Sequence, residues 1–101
     1  MVNAVINRVS RALILGRLAN WRHSRIDFHL PDGTTETVGD RASATIDTVN
    51  VHDDKVFRRI LLSGSTGAGE AYVDGHWSSP DLQGLVSRML QARDQVTLDA
   101  Y

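Results

Sequence analysis

Apolar residues recur along this chain with two different periods, and the changes between them mark out its elements. Around residues 3 to 20 the steps are three and four. Val2, Val5, Ile6, Val9, Ala12 and Leu13 share one side of a helix, with Arg8 and Arg11 on another. Ile14, Leu15 and Leu18 fall away from that stripe, so the helix is apolar on more than one side. Such a helix packs against two things: its own domain, and either a partner or a lipid interface. From 24 to 30 the period becomes two. Ile26, Phe28 and Leu30 alternate with Arg25, Asp27 and His29, which is the pattern of a half-buried strand. Pro31 presets one turn angle and Gly33 supplies the positive one, so a tight turn follows and Thr35 to Val38 returns as a second strand. Residues 42 to 51 predict a third strand with Ala44, Ile46, Val49 and Val51 inward. Their shift from even to odd positions predicts a bulge near Asp47 and Thr48.

Asp53 or Asp54 is placed to cap a second helix. Val56, Phe57, Ile60 and Leu61 form its inward stripe, and Lys55, Arg58 and Arg59 its wet face. Gly64 is expected to stop it in a left-handed conformation. Residues 70 to 77 are expected to return as a fourth strand, with a short helix as the alternative. Ser79 as the cap, Pro80 in the first turn and Asp81 near the positive end predict the start of a last helix, with Leu82, Leu85, Val86, Met89 and Leu90 on one stripe. Residues 94–101 are expected to fray. The order is helix, three strands, helix, strand, helix. It predicts an α+β domain: a small antiparallel or mixed sheet of about four strands covered by about three helices.

Composition narrows this picture. A length of 101 residues is one domain, 1–101, with 1–20 as its N-terminal helix and 24–93 as its core. The absence of cysteine excludes disulfides and thiolate metal sites. No run approaches the roughly 18 apolar residues of a membrane span, and Ala12 to Leu15 is too short for the core of a signal peptide. The expected location is the cytoplasm, with attachment to the inner face of the membrane left open.

Charge adds an asymmetry that the net value of −1 hides. Arg8, Arg11, Arg17, Arg22 and Arg25 stand in the first 25 residues without a single acid, while the remainder is acidic. A basic head suits an anionic surface or an acidic neighbour. Trp21, beside arginines at the end of the first helix, is the better interfacial candidate of the two tryptophans. The candidate lipid or membrane contacts are therefore Arg8, Arg11, Leu15, Arg17, Leu18 and Trp21.

Catalytic chemistry finds little support. Gly64, Gly67 and Gly69 resemble a phosphate loop, but the predicted helix comes before them and a strand after, and no P-loop lysine is present. His23, His29, His52 and His76 are scattered, without metal-ligand spacing. Glu70 and Asp74, four apart, could share a face, yet acid–base work needs a cleft that nothing in the sequence indicates. Ser63, Ser65 and Thr66 have no adjacent base. No catalytic, metal or cofactor residue is assigned and no cofactor is expected. Basic residues are not interleaved with aromatics, so nucleic acid is not an expected partner.

The most particular text is Gly69-Glu70-Ala71-Tyr72-Val73-Asp74-Gly75-His76-Trp77, with Asp81-Leu82 behind it, Leu30-Pro31-Asp32-Gly33 and Phe57 to Leu62 before it. From about residue 12 to 93 this order and spacing resemble the N-terminal domain of bacterial cyclopropane-fatty-acyl-phospholipid synthases and related lipid methyltransferases. Gly69, Glu70, Tyr72, Asp74, Gly75, Trp77 and Asp81 carry the signature. Val73 and Ala68 depart from it, standing where methionine and a larger apolar residue are frequent. The S-adenosylmethionine-binding catalytic domain of that family is not in these 101 residues, so no catalytic residue is carried over. The resemblance implies a non-catalytic, sterol-carrier-like domain. It would bind phospholipid or a membrane surface and dock to a methyltransferase domain or subunit. The alternative is an interaction or dimerisation module, including a homodimer, with no lipid role.

Overall fold

The computed structural model describes residues 2–91. Its most local feature is the hairpin. Gly33 has φ +90°, its N–H donates to the Leu30 carbonyl at 3.0 Å, and the Leu30 N–H donates to the Thr34 carbonyl at 2.8 Å. This turn joins β1 (Arg25–His29) to β2 (Thr35–Gly39), antiparallel, with Ile26 opposite Val38. β3 (Ile46–Val51) lies on the other side of β1 and parallel to it, from Arg25 opposite Ile46 to His29 opposite Asn50. β4 (Trp77–Ser78) pairs antiparallel with the end of β3. The strand order is β2-β1-β3-β4. With α1 (Val2–Leu18), α2 (Lys55–Val73) and α3 (Leu82–Gln91), the fold is α+β: three helices and a four-stranded mixed sheet.

Ile26 and Phe28 of β1 and Val49 and Val51 of β3 project from one face of the sheet into the core. Ile14 and Leu18 of α1, Val56, Phe57 and Ala71 of α2, and Leu85 of α3 meet them there, with Trp21 and Leu30 from the connections. Phe28 and Phe57 pack with ring centroids 5.9 Å apart, across the boundary between sheet and α2.

Several local expectations are corrected. Of the apolar sides of α1, the one that carries Ile14 and Leu18 turns inward. Ser10, Ile14 and Leu18 are buried, whereas Val2, Val5, Ile6, Val9 and Leu13 are exposed. β3 has no bulge. Asp47, Val49 and Val51 alternate inward in continuous register, Ile46 is 51% exposed, and Ala44 lies outside the strand and is exposed. The inward place was assigned to Ile46, but Asp47 takes it because two polar partners await it inside.

Gly64 does not end α2. It has φ 57° and ψ −137°, a kink after which the helix resumes. Residues 70–73, expected in a strand, are therefore the last turn of α2. The stop comes at Gly75, with φ +78°. The His76 N–H donates to the Ala71 carbonyl at 2.8 Å and the Gly75 N–H to the Tyr72 carbonyl at 3.0 Å, the paired bonds of a Schellman ending. α3 is capped by Asp81 rather than Ser79: Asp81 Oδ1 accepts from the Gly84 N–H at 3.0 Å. The tail expected to fray, 94–101, lies outside the described residues.

Candidate functional site

An apolar cavity of about 340 Å³ lies under α3. Ile14 and Leu18 of α1 form one wall, and Phe28, Val49 and Val51 of the sheet form the floor. Val56, Phe57, Ile60, Ala68 and Gly69 of α2 form a second wall, and Leu82, Leu85, Val86, Met89 and Leu90 of α3 form the roof. Trp77 and Tyr72 stand together at one side with centroids 5.2 Å apart, edge to face. Among all the lining residues only Ser65, Tyr72 and Trp77 carry a polar side-chain atom, and the Trp77 indole N–H is already given to the Ala68 carbonyl at 2.8 Å. Tyr72, Val86 and Leu90 are exposed lining residues and mark the mouth.

Two glycines of α2 shape this region differently. Gly67 is buried where the two halves of the kinked helix touch, and a Cβ there would collide with the Arg59 carbonyl. At Gly69 a Cβ would meet nothing within 4 Å. Gly69 is an exposed lining residue, so a side chain there would stand in open space at the cavity's edge.

The roof is tied down by a buried polar chain. The Trp21 indole N–H donates to Ser24 Oγ at 2.9 Å, and Ser24 Oγ donates to Asp47 Oδ2 at 2.6 Å. Arg88 of α3 donates to the same carboxylate, through Nε to Oδ2 at 2.7 Å and through its second arm to Oδ1. Asp47 is 2% exposed. Burial alone would push its carboxyl up, but the bonds from Arg88 and Ser24, with the Arg88 charge, hold it below the ordinary 3.8. The same pairing raises Arg88. An aspartate at an inward strand position was a signal of this site, although its partner stands 41 positions away.

A second feature is the outer side of α1. Val2, Val5, Ile6, Val9 and Leu13 form an exposed apolar stripe, and Arg8 and Arg17, also exposed, fall to either side of it. Arg11 is half-buried; the Thr34 hydroxyl and N–H hold the carboxyl of Asp32 down, and the Arg11 charge adds a smaller pull. α1 carries no acidic residue. Three of the candidate membrane contacts are corrected here. Trp21, at 1% exposure, and Leu18, at 3%, are core residues, and Leu15 is half-buried against that core. Trp21 faces inward because Ser24 accepts its N–H inside the protein.

The signature residues serve the turn and the cavity. Gly69, Tyr72 and Trp77 line the cavity, and Gly75 and Asp81 end one helix and cap the next. Asp74 pairs with Arg59 at 2.6 Å, and Glu70 is exposed. His76 Nε2 is 3.8 Å from Asp53 Oδ2, and His52 Nε2 is 2.9 Å from Ser78 Oγ. None of these seven side chains lines the cavity. No group of three or more metal-ligating residues occurs among the described residues, and none of their helices is long and apolar enough to cross a membrane. Comparisons with protein-family models, curated proteins and solved structures find no match.

Proposed function

We propose that this chain is a non-catalytic, lipid-engaging domain of the kind found at the N-terminus of cyclopropane-fatty-acyl-phospholipid synthases, working beside a methyltransferase domain or subunit. The observation that carries the reading is the outer side of α1. Five aliphatic side chains are left in solvent there, on a helix whose only charges are Arg8, Arg11 and Arg17. A helix of that kind lies in the headgroup layer, with its aliphatic stripe at the acyl boundary and its cations among anionic headgroups. Each arginine near such a surface contributes on the order of 1 kcal/mol at low salt. The occupant of this face is an anionic membrane, because the exposed aliphatic stripe is flanked by positive charge on a helix that carries no acidic residue.

Co-sedimentation with vesicles tests the proposal. Binding to phosphatidylglycerol vesicles that weakens in salt and is absent from phosphatidylcholine is the expected result. No binding, or equal binding to both, overturns it. A stable complex with a methyltransferase in the absence of lipid, lost when Val5 and Val9 become serine, would assign the stripe to a protein partner instead.

A further inference from the structure

We infer that the cavity under α3 is a binding site for one unbranched hydrocarbon chain. This deepens the lipid-engaging reading and rests on it for where the chain comes from, while the site itself stands on its own geometry.

The lining decides the class of ligand. A polar molecule would have to surrender its hydrogen bonds to water and would find almost none in return, because Trp77's donor is already spent on Ala68. A lining of leucine, valine, isoleucine and aromatic groups keeps such a space dry and suited to an apolar guest. Size decides the rest. At roughly 30 Å³ per water-sized unit, about 340 Å³ accommodates about eleven methylene groups. That is most of one acyl chain, and too little for two.

The surroundings agree with this occupant. α1 supplies Ile14 and Leu18 to the cavity wall on one side and the exposed stripe on the other. A chain drawn from the bilayer therefore has one helix between its two environments. The exposed mouth residues Tyr72, Val86 and Leu90 are themselves apolar or amphipathic, so the path inward has no charged threshold. Gly69, an exposed lining residue, leaves room at the cavity's edge, where a Cβ would meet nothing within 4 Å.

The test is fluorescence quenching of Trp77 by dibromostearate, whose bromines quench indoles only at short range. Trp21 lies outside the lining and is the internal control. Saturable quenching at one equivalent is expected, leaving the Trp21 emission. Gly69→Leu should weaken the binding at least tenfold, because a four-carbon side chain at the edge of the cavity narrows the room left for the guest. That variant is expected to fold, since leucine favours a helix over glycine and the site is open; a thermal melt verifies it. Vesicles of phosphatidylglycerol brominated on its acyl chains form a second arm. Quenching there but not by the free acid assigns the chain to a membrane phospholipid, and the reverse assigns it to free fatty acid. No saturable quenching in either arm, as when a second copy of the chain fills the space, overturns the inference. Quenching that is unchanged in folded Gly69→Leu also overturns it. Vesicle co-sedimentation fails or succeeds separately, because it reads the outer stripe of α1 and not this cavity.

Discussion

Arg88, on the last helix, grips the carboxylate of Asp47, on a strand 41 positions earlier, with two arms of its guanidinium. Asp47 has 1% of its side chain exposed and Arg88 24%. Removing the arginine would leave a buried carboxylate with only Ser24 as a partner, and breaking such a pair costs about 3 kcal/mol. Arg88→Ala is therefore expected to lower stability by that amount in urea titration. Asp47→Leu combined with Arg88→Met should recover most of the loss, because no charge is then stranded. A loss below about 1 kcal/mol in Arg88→Ala would place the pair with exposed ion pairs.

Acid should weaken the same contact. The folded carboxyls of Asp47 and Asp27 both lie below 3.8, Asp47 despite its burial and Asp27 chiefly through its hydrogen bond from Arg25. A carboxyl that titrates lower in the folded chain than in the unfolded one favours folding above its unfolded pKa. That contribution disappears as pH falls through the folded value. Melting temperature is expected to be level near neutrality and to fall below about pH 4. In Asp47→Asn the overall stability should be lower and the acid-side fall shallower. An identical acid slope in the variant would remove Asp47 from the account.

The glycines of α2 are expected to separate under alanine substitution. Gly64→Ala forces a side chain into φ 57°, ψ −137°, which costs about 1–3 kcal/mol. Gly67→Ala should also destabilise, through its collision with the Arg59 carbonyl. Gly69→Ala, in open space within the helix, should stabilise by about 0.5–1 kcal/mol. Chemical denaturation of the three variants checks the order, and equal effects would mean that helix propensity alone is being read.

The two sides of α1 should answer different assays. Ile14→Ala and Leu18→Ala remove core contacts and should cost about 2–5 kcal/mol. Val5→Ser with Val9→Ser, both at exposed positions, should leave stability within about 0.5 kcal/mol while reducing vesicle binding. If the serine pair unfolded the protein, the exposed stripe would have to be part of the core.

These contrasts show what could be read from residues alone. The hairpin was legible because its turn chemistry and its two-residue alternation sit within a few positions of each other. Val56 and Phe57 were legible as core for the same local reason. α1 was not, because periodicity shows how many stripes a helix has but not which one meets the sheet. Ile14 and Leu18 prevailed over the longer stripe by joining the core that α2 and the sheet build far along the chain, which no local pattern contains. Trp21 looked interfacial beside its arginines, whereas Ser24, three residues on, draws its N–H inside. The continuation of α2 through its glycines was hidden because helix propensity weighs against it, and only the packing of its second half outweighs that preference. The cavity was the least visible feature, since it depends on how far α3 stands from the sheet.

α3 has only Leu85 fully buried, with Met89 packed against the core and Arg88 bonded to Asp47. Amide hydrogens there should therefore exchange with solvent by a small local opening, long before those of β1 and β3, which are released only with the whole domain. The element that roofs the empty space is also the easiest to lift, and a guest lying against Leu85 and Met89 would be read as slower exchange along that one helix.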